Sequence, residues 1–334
     1  MGEKIAVLGA GAWGIAIASM LAGRSGLNVQ LWSRNEAVAR DINESRKAKA
    51  LPGCLLDGRL HVSTDAKSVL EGADVAVLVV VSFGLRGFLA SSAPFWPREA
   101  KILCCTKGLE EDSCKRMTQV IQDELAFVPL DQLAVMSGPN LAGEIAMGKP
   151  ASTVIASESK ETARILQGIF HSESFRVYVS DDVAGVELGG AIKNVIAIAA
   201  GICHGLELGD NSVAALATRG IREISRLGAK MGAKLETLSG LAGIGDVIVT
   251  CVSKQSRNRS IGEEIGRGAP PERVLSERKS VEGIHTVKAL HKLSKMHEIS
   301  LPISEIVYKV LFEGFSAKDA GAVLMEREPQ PENN

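Results

Sequence analysis

A chain of 334 residues with 46% hydrophobic and 23% charged side chains has the make-up of a soluble globular protein and the length for two domains, each with its own core. Its net charge of -1 gives no electrostatic basis for binding nucleic acid or an anionic membrane, so a small molecule is the expected partner.

The N-terminus runs directly into Lys4-Ile5-Ala6-Val7-Leu8, with no charged lead and cleavable apolar segment, so no signal peptide is expected. The apolar run ends in Gly9-Ala10-Gly11-Ala12-Trp13-Gly14, and small and apolar residues then recur at helical spacing through Ile17 and Leu21. Strand, Gly-x-Gly-x-x-Gly and helix in that order predict a dinucleotide-binding turn. Gly9 permits the turn, Gly11 lets the backbone approach a pyrophosphate, and Gly14 lets helix and strand pack closely. A second strand, Asn28 to Trp32, ends in Ser33-Arg34-Asn35 and lacks the carboxylate that would hold a ribose 2'-hydroxyl. Arg34 accommodates a 2'-phosphate, so NADP(H) is the preferred cofactor, with NAD(H) also admissible; Glu36 and Asp41 lie too far along to substitute.

Asp74 to Val81 is a continuous apolar, β-branched run, the pattern of a parallel strand covered on both faces, and Lys101 to Cys105 is another. Cys104 and Cys105 read as small core residues. The cysteines at 54, 104, 105, 114, 203 and 251 form no C-x-x-C pair and have no histidine at metal-ligand spacing, so no metal is expected and a reducing, cytoplasmic compartment follows. Ligands of such sheets bind outside the carboxyl ends of strands, which places Lys107, in Thr106-Lys107-Gly108, where a substrate contact is favoured. Leu133 to Met136 predicts a strand running into the turn Ser137-Gly138-Pro139-Asn140 and a short helix with Glu144 in its first turn. The last strands, over 152–156 and 175–179, flank a helix over 161–170.

After Asp181 the pattern is helical, near 183–206, 212–231, 235–253, 283–297 and 303–313. The expected organisation is an α/β Rossmann-like doubly wound N-terminal domain (1–181) and an all-α C-terminal domain (182–325). A charged, proline-containing tail at 326–334 is expected to be disordered. The longest uncharged runs, over 75–85 and 195–206, fall short of the roughly 18 residues a membrane-spanning helix needs, so no membrane insertion is expected.

Leu188 to Ile202 is apolar or small except at Lys193 and Asn194, so a helix here carries its one charge inward or to a cleft. Burial beside other charges brings a lysine into a range useful for proton transfer, which makes Lys193 the first candidate for chemistry; the alternative is a lysine reaching from a helix end to water. Gly240 to Asp246 is followed by Thr250, on the same helical face as Asp246. Lys254 and Ser256-Arg257-Asn258-Arg259 come next, a cluster able to hold a phosphate or to form an ordinary solvated face.

In order, Gly9-x-Gly11-x-Trp13-Gly14, Thr106-Lys107-Gly108-Leu109-Glu110, Ser137-Gly138-Pro139, Gly189-Gly190-Ala191-Ile192-Lys193-Asn194-Val195, Gly240 to Asp246, and Gln255-Ser256-Arg257-Asn258 make a set. Over about residues 3–325 the chain resembles the bacterial-type NAD(P)-dependent sn-glycerol-3-phosphate dehydrogenases. The resemblance implies reversible hydride transfer between NAD(P)H and C2 of dihydroxyacetone phosphate, giving sn-glycerol 3-phosphate for phospholipid synthesis, and is compatible with a homodimer. It implies Lys193 as proton acceptor in alcohol oxidation and donor in the reverse direction. Lys107, Gly138, Asn140 and Asp246 would join it around the substrate, with Ser256, Arg257 and Asn258 near the phosphate. Cofactor contacts are implied at Gly9, Gly11, Ala12, Trp13, Gly14, Arg34, Lys107, Ala142, Arg257, Val281 and Glu282.

The chain departs from that pattern at three places. Asn140-Leu141 stands where Ser or Thr followed by Phe is usual, Gly143 replaces a common basic residue, and Ser82-Phe83 stands where Pro-Ser is common. The competing readings are another two-domain hydroxy-acid dehydrogenase and a non-catalytic dinucleotide-sensing protein.

Overall fold

The computed structural model describes residues 2–278 and 280–325; the tail expected at 326–334 lies outside them. Strands β1 (Glu3–Leu8), β2 (Leu27–Trp32), β3 (His61–Ser63), β4 (Val75–Leu78), β5 (Lys101–Cys104), β6 (Leu133–Ser137), β7 (Ala151–Ser157) and β8 (Phe175–Ser180) form one sheet in the order β3-β2-β1-β4-β5-β6-β7-β8. The first six are parallel, with Ile5 in register with Val29 on one side and Val75 on the other. β7 turns back antiparallel to β6, and β8 follows it in parallel. The strand order reverses between β1 and β4, and such a switch point opens a crevice at the carboxyl ends of the strands.

Helices α1 (Ala12–Ala22), α2 (Glu36–Ser45), α3 (Ala66–Leu70), α4 (Ser82–Ser92), α5 (Met117–Glu124), α6 (Ala142–Ala146) and α7 (Lys160–Phe170) cover the sheet. Ile5 and Val7 pack with α1, α2, α6 and α7 on one face, while Ala6 and Leu8 pack with α3, α4 and α5 on the other. Burial of both faces is why these strands read as continuous apolar runs. The strand expected to reach Val81 stops at Leu78, opposite Cys104. Beyond it the chain crosses the nucleotide turn, where the Val79 carbonyl comes against Gly9.

From α8 (Val183–Gly205) onward the described chain is helical: α9 (Asp210–Lys230), α10 (Leu235–Leu238), α11 (Asp246–Val252), α12 (Arg257–Gly266), α13 (Pro271–Glu277), α14 (Glu282–Met296), α15 (Pro302–Phe312) and α16 (Ala317–Met325). Asp182 caps α8, its Oδ1 accepting from the Gly185 N–H at 2.8 Å, and every residue from Gly185 to Ile202 is buried. By length and composition alone α8 could cross a membrane, but it is enclosed by α9, α11, α12 and α14. The tightest of these contacts is with α12. A Cβ on Gly262 would lie 1.9 Å from the Ile198 carbonyl oxygen, and one on Gly201 would lie 2.0 Å from that of Arg259, so the two backbones touch.

The single helix expected over 235–253 is broken. After α10 the chain widens into a π-turn at Leu241–Gly245 before α11 begins at Asp246. Glycine permits this path: a Cβ on Gly243 would lie 1.8 Å from the Leu238 carbonyl oxygen, and one on Gly189 of α8 would lie 2.3 Å from that of Ala242. Single π-turns are frequent at functional sites, and here the residue that follows is Asp246.

One segment of the sheet half packs in the helical half. Between β5 and α5 the chain makes a hairpin closed by pairing of Leu109 with Arg116. Leu109 and Cys114, on that hairpin, are buried in the core built around α8 and α14, and the Cys114 thiol donates to the Ala289 carbonyl at 3.7 Å.

Candidate active site

The candidate active site forms where α8 and α11 meet the carboxyl ends of β5 and β6. Lys193, 8% exposed, donates from Nζ to Asp246 Oδ1 at 2.5 Å and to Thr250 Oγ1 at 3.0 Å. One turn along α11, the Thr250 hydroxyl donates to the Asp246 carbonyl at 2.6 Å, which orients it to receive Lys193. The second carboxylate oxygen of Asp246 accepts from Lys107 Nζ at 2.7 Å and from Ser137 Oγ at 3.4 Å. Lys107 also donates to the Gly138 carbonyl at 3.0 Å. Lys107, Gly138, Lys193 and Asp246 are thus brought into one cluster.

Two ammonium groups share one fully buried carboxylate, so the cluster carries one net positive charge. Burial pulls Lys193 down, Asp246 opposes that, Lys107 reinforces it, and the outcome is about 8. Burial alone would raise the Asp246 carboxyl, but Lys107 and Lys193 hold it below its ordinary value. The alternative of a helix-end lysine reaching to water does not apply to Lys193, which sits mid-helix with a buried partner. A lysine near 8 beside a fixed carboxylate can both give and take a proton close to neutral pH.

Next to Lys193, Asn194 starts a polar chain. Its Oδ1 accepts from Asn258 Nδ2 at 2.9 Å, its Nδ2 donates to the Lys107 carbonyl at 3.4 Å, and Asn258 Oδ1 accepts from the Gly283 N–H at 3.0 Å. The chain joins the Lys107 loop, α8, α12 and α14. Ser256 caps α12 by accepting from the Arg259 N–H at 3.2 Å, while Arg257 is exposed. Glu282, opening α14, accepts from the Ser82 N–H at 2.9 Å and from the Ser82 hydroxyl, so it spans the two halves. Burial raises its carboxyl above the ordinary value, with Ser82 and Arg257 opposing.

At the nucleotide turn Gly9 has φ +124°, and a Cβ there would lie 2.7 Å from the Val79 carbonyl oxygen. A Cβ on Gly14 would lie 1.9 Å from the Gly9 carbonyl oxygen. Gly11 begins α1 with no side chain over the end of the helix, Ala12 is its first residue, and nothing stands within 4 Å of where a Gly11 Cβ would be. The buried indole N–H of Trp13 has no hydrogen-bond partner. Open backbone donors and an unpartnered indole fit a dinucleotide pyrophosphate. Arg34 is exposed at the end of β2, where Asn35 caps α2 by accepting from Ala37 N–H at 2.9 Å. From β2 to β5 is three strand spacings, about 14 Å, so Arg34 and Lys107 stand at opposite ends of the crevice.

Other expected residues are placed differently. The Asn140 amide is turned to β7, its Oδ1 accepting from Thr153 Oγ1 at 3.0 Å and its Nδ2 donating to the Ser152 carbonyl at 3.4 Å. Ala142 opens α6 beside the α1 side of the core. The Val281 side chain is buried in the helical core, leaving only its backbone to offer a nucleotide. A Cβ on Gly143 would lie 3.1 Å from Gln255 Oε1, so this position faces the turn before α12 across the cleft. Sequence reasoning names Ser82, Ser137 and Asn194 within motifs but assigns none of them a place in the site. The available signals are position alone: Ser137 ends a strand and Asn194 adjoins Lys193.

The family model described as the N-terminus of NAD-dependent glycerol-3-phosphate dehydrogenase matches residues 4–163, and that described as its C-terminus matches residues 182–322. Glycerol-3-phosphate dehydrogenase [NAD(P)+] of Pelotomaculum thermopropionicum is 45% identical over 98% of this chain and 94% of its own length. That of Moorella thermoacetica is 44% identical over 98% and 97%. The crystal structure of glycerol-3-phosphate dehydrogenase from Coxiella burnetii superposes with a TM-score of 0.92 at 36% identity, covering 98% of this chain and 99% of its own.

Proposed function

Because the chain belongs to the NAD-dependent glycerol-3-phosphate dehydrogenase family and is an NAD(P)-dependent oxidoreductase of the CH–OH group, we propose the following roles for its residues in converting dihydroxyacetone phosphate and sn-glycerol 3-phosphate. The observation that carries the reading is the buried Lys193–Asp246–Lys107 cluster beside the crevice. When bound, NAD(P)H supplies the hydride. Lys193 donates a proton to the C2 oxygen in ketone reduction and takes it back in alcohol oxidation. Asp246 and Thr250 fix the direction of the Lys193 Nζ, and Lys107 adds a second positive charge where an alkoxide would develop. Ser256, Arg257 and Asn258, at the start of α12, are assigned to the phosphate end of the substrate, and Gly138 to its other flank.

Gly9, Gly11, Ala12, Trp13 and Gly14 would hold the pyrophosphate half of the cofactor, Arg34 a 2'-phosphate, and Ala142, Arg257, Val281 and Glu282 the remainder. Preference for NADPH rests on Arg34 and the absence of a carboxylate at the end of β2. Supply of sn-glycerol 3-phosphate for phospholipid synthesis, a cytoplasmic location and a homodimer belong to the same proposal.

The test is the initial rate of NADPH and NADH oxidation with dihydroxyacetone phosphate as the only added substrate. Rapid turnover with the phosphate ester, little with dihydroxyacetone and a higher kcat/KM with NADPH is the expected result. Equal turnover of both ketones would sink the phosphate assignment, and an equal or better kcat/KM with NADH would sink the role given to Arg34.

A further inference from the structure

Lys107 stands on a loop whose anchorage is divided. Toward the sheet half, Glu110 holds Arg86 of α4 through two contacts, Nε to Oε1 at 2.7 Å and Nη2 to Oε2 at 2.8 Å. Toward the helical half, the next residue, Glu111, accepts from Lys288 Nζ at 2.9 Å and pairs with His285 Nδ1 at 3.0 Å, both on α14. Lys292, one turn further, donates to the Glu111 carbonyl at 2.8 Å. Phe83, at the start of α4, stacks on the His285 ring at 4.4 Å, closing the cluster from the sheet side. Glu111 reaches neither Lys193 nor Asp246, and these contacts leave it outside the chemistry assigned above.

We propose that Glu111 is a positioning residue for Lys107, pinning the hairpin rooted in the sheet to α14 so that the Lys107 ammonium stays on Asp246. The hairpin is short, Leu109 to Arg116, and Lys107 enters it two residues before its first paired position. A shift of its tip is passed to Lys107 because Gly108, the joint between them, has little room in which to absorb it. Gly108 is already crowded, since a Cβ there would lie 2.6 Å from Ser82 Oγ and 3.0 Å from Glu282 Oε2. The loop accordingly has one seat between the two halves, and Glu111 is its polar fastening on the helical side. Displacement of a charged group by about 1 Å at a reacting centre can cost on the order of 100-fold in rate, so a modest ion-pair contact at the tip has leverage at Lys107.

The inference rests on the reading of Lys107 and Lys193 as site residues, and its test separates the two. The ionisable groups acting on Lys193 are Asp246 and Cys251 from α11 and Lys107 from the loop. Lys107 lowers Lys193, so withdrawal of Lys107 moves the alkaline limb of ketone reduction to higher pH. Rates of dihydroxyacetone phosphate reduction by the full chain are measured against pH for Glu111→Ala, Glu111→Gln, Lys288→Ala, Lys107→Ala and the Glu111→Ala/Lys107→Ala double variant.

Glu111→Ala and Lys288→Ala are expected to lower kcat roughly 10-fold, change the KM for NADPH less than about two-fold, and shift the limb upward. Glu111→Gln, which can still accept from Lys288, is expected to recover part of the loss. The double variant is expected to be no slower than Lys107→Ala, because the effect runs through Lys107. A limb at the wild-type pH in Glu111→Ala and Lys288→Ala, or losses that multiply in the double variant, would overturn the assignment. Full activity in Lys107→Ala would overturn the reading of Lys107 itself and the role of Glu111 with it.

Discussion

At residue scale, the value near 8 held by Lys193 is set by burial and tuned by two charges of opposite sign, so it carries a directional signature. Alcohol oxidation needs the neutral amine, and its rate should rise as pH increases through about 8 and then level off. Ketone reduction needs the ammonium, and its rate should fall over the same interval. Initial rates in both directions from pH 6 to 10 check this; two limbs of the same sign would exclude Lys193 as the titrating group. Lys193 was legible in the sequence because it is the one charge in a long apolar run. Its nearness to Asp246, 53 residues away, was legible only through the family resemblance, since neither spacing nor pattern pairs the two. Nor do they pair Ser82 with Glu282, separated by 200 residues and joined only once the sheet and helical halves are set side by side.

Among the elements, α12 owes its seat to glycine. A methyl group on Gly262 would meet the Ile198 carbonyl, which as backbone cannot rotate away, so Gly262→Ala must push α12 off α8. A loss of about 1–3 kcal/mol in urea unfolding is expected, with a higher KM for dihydroxyacetone phosphate because Arg257 and Asn258 travel with the helix. An unchanged midpoint and KM would mean that the contact can relax elsewhere.

Glu223 of α9 plays a different structural part. It accepts from the Ser304 N–H at 3.2 Å and hydroxyl at 2.9 Å and thereby caps α15, and burial raises its carboxyl to about 7. In the unfolded chain it titrates near its ordinary 4.5, so its stabilising contribution is full below that value and is lost as pH rises through about 7. That contribution is on the order of 3 kcal/mol. Thermal midpoints at pH 5 and 8 should therefore differ less in Glu223→Gln than in wild type; an equal difference would assign the pH dependence to other groups.

Most of the sheet strands and α8 were legible because they are mainly apolar runs, whereas β3, His61–Ser63, is too short and polar to stand out. α12 was hidden because its buried residues are two glycines, two isoleucines, Asn258 and Arg259, too small or too polar to register as an apolar stripe. The reversal at β7 and the π-turn before Asp246 depend on neighbours that no local pattern records.

For the whole molecule, the hairpin that carries Leu109 and Cys114 into the helical core makes the two halves unequal owners of one interior. The tryptophans, at 13, 32 and 96, all lie in the sheet half, whereas most of the helix content lies beyond residue 182. Fluorescence and far-ultraviolet circular dichroism therefore report different halves. In the wild-type chain the two unfolding curves should coincide. Leu109→Ala, which removes a buried anchor worth about 2–5 kcal/mol, should separate them. Coincident curves in the variant would show that the hairpin does not hold the halves together.

The same hairpin has a consequence during synthesis. The sheet half leaves the ribosome first, with Leu109 and Cys114 still lacking the α14 residues against which they pack, and about 115 residues separate the end of β8 from the end of α14. At ordinary elongation rates that interval lasts roughly 6–23 s, during which a nascent chain presents an apolar finger to whatever is nearby. Until its own C-terminal half arrives to cover them, the N-terminal half keeps these apolar side chains exposed, the condition in which nascent chains are prone to aggregate.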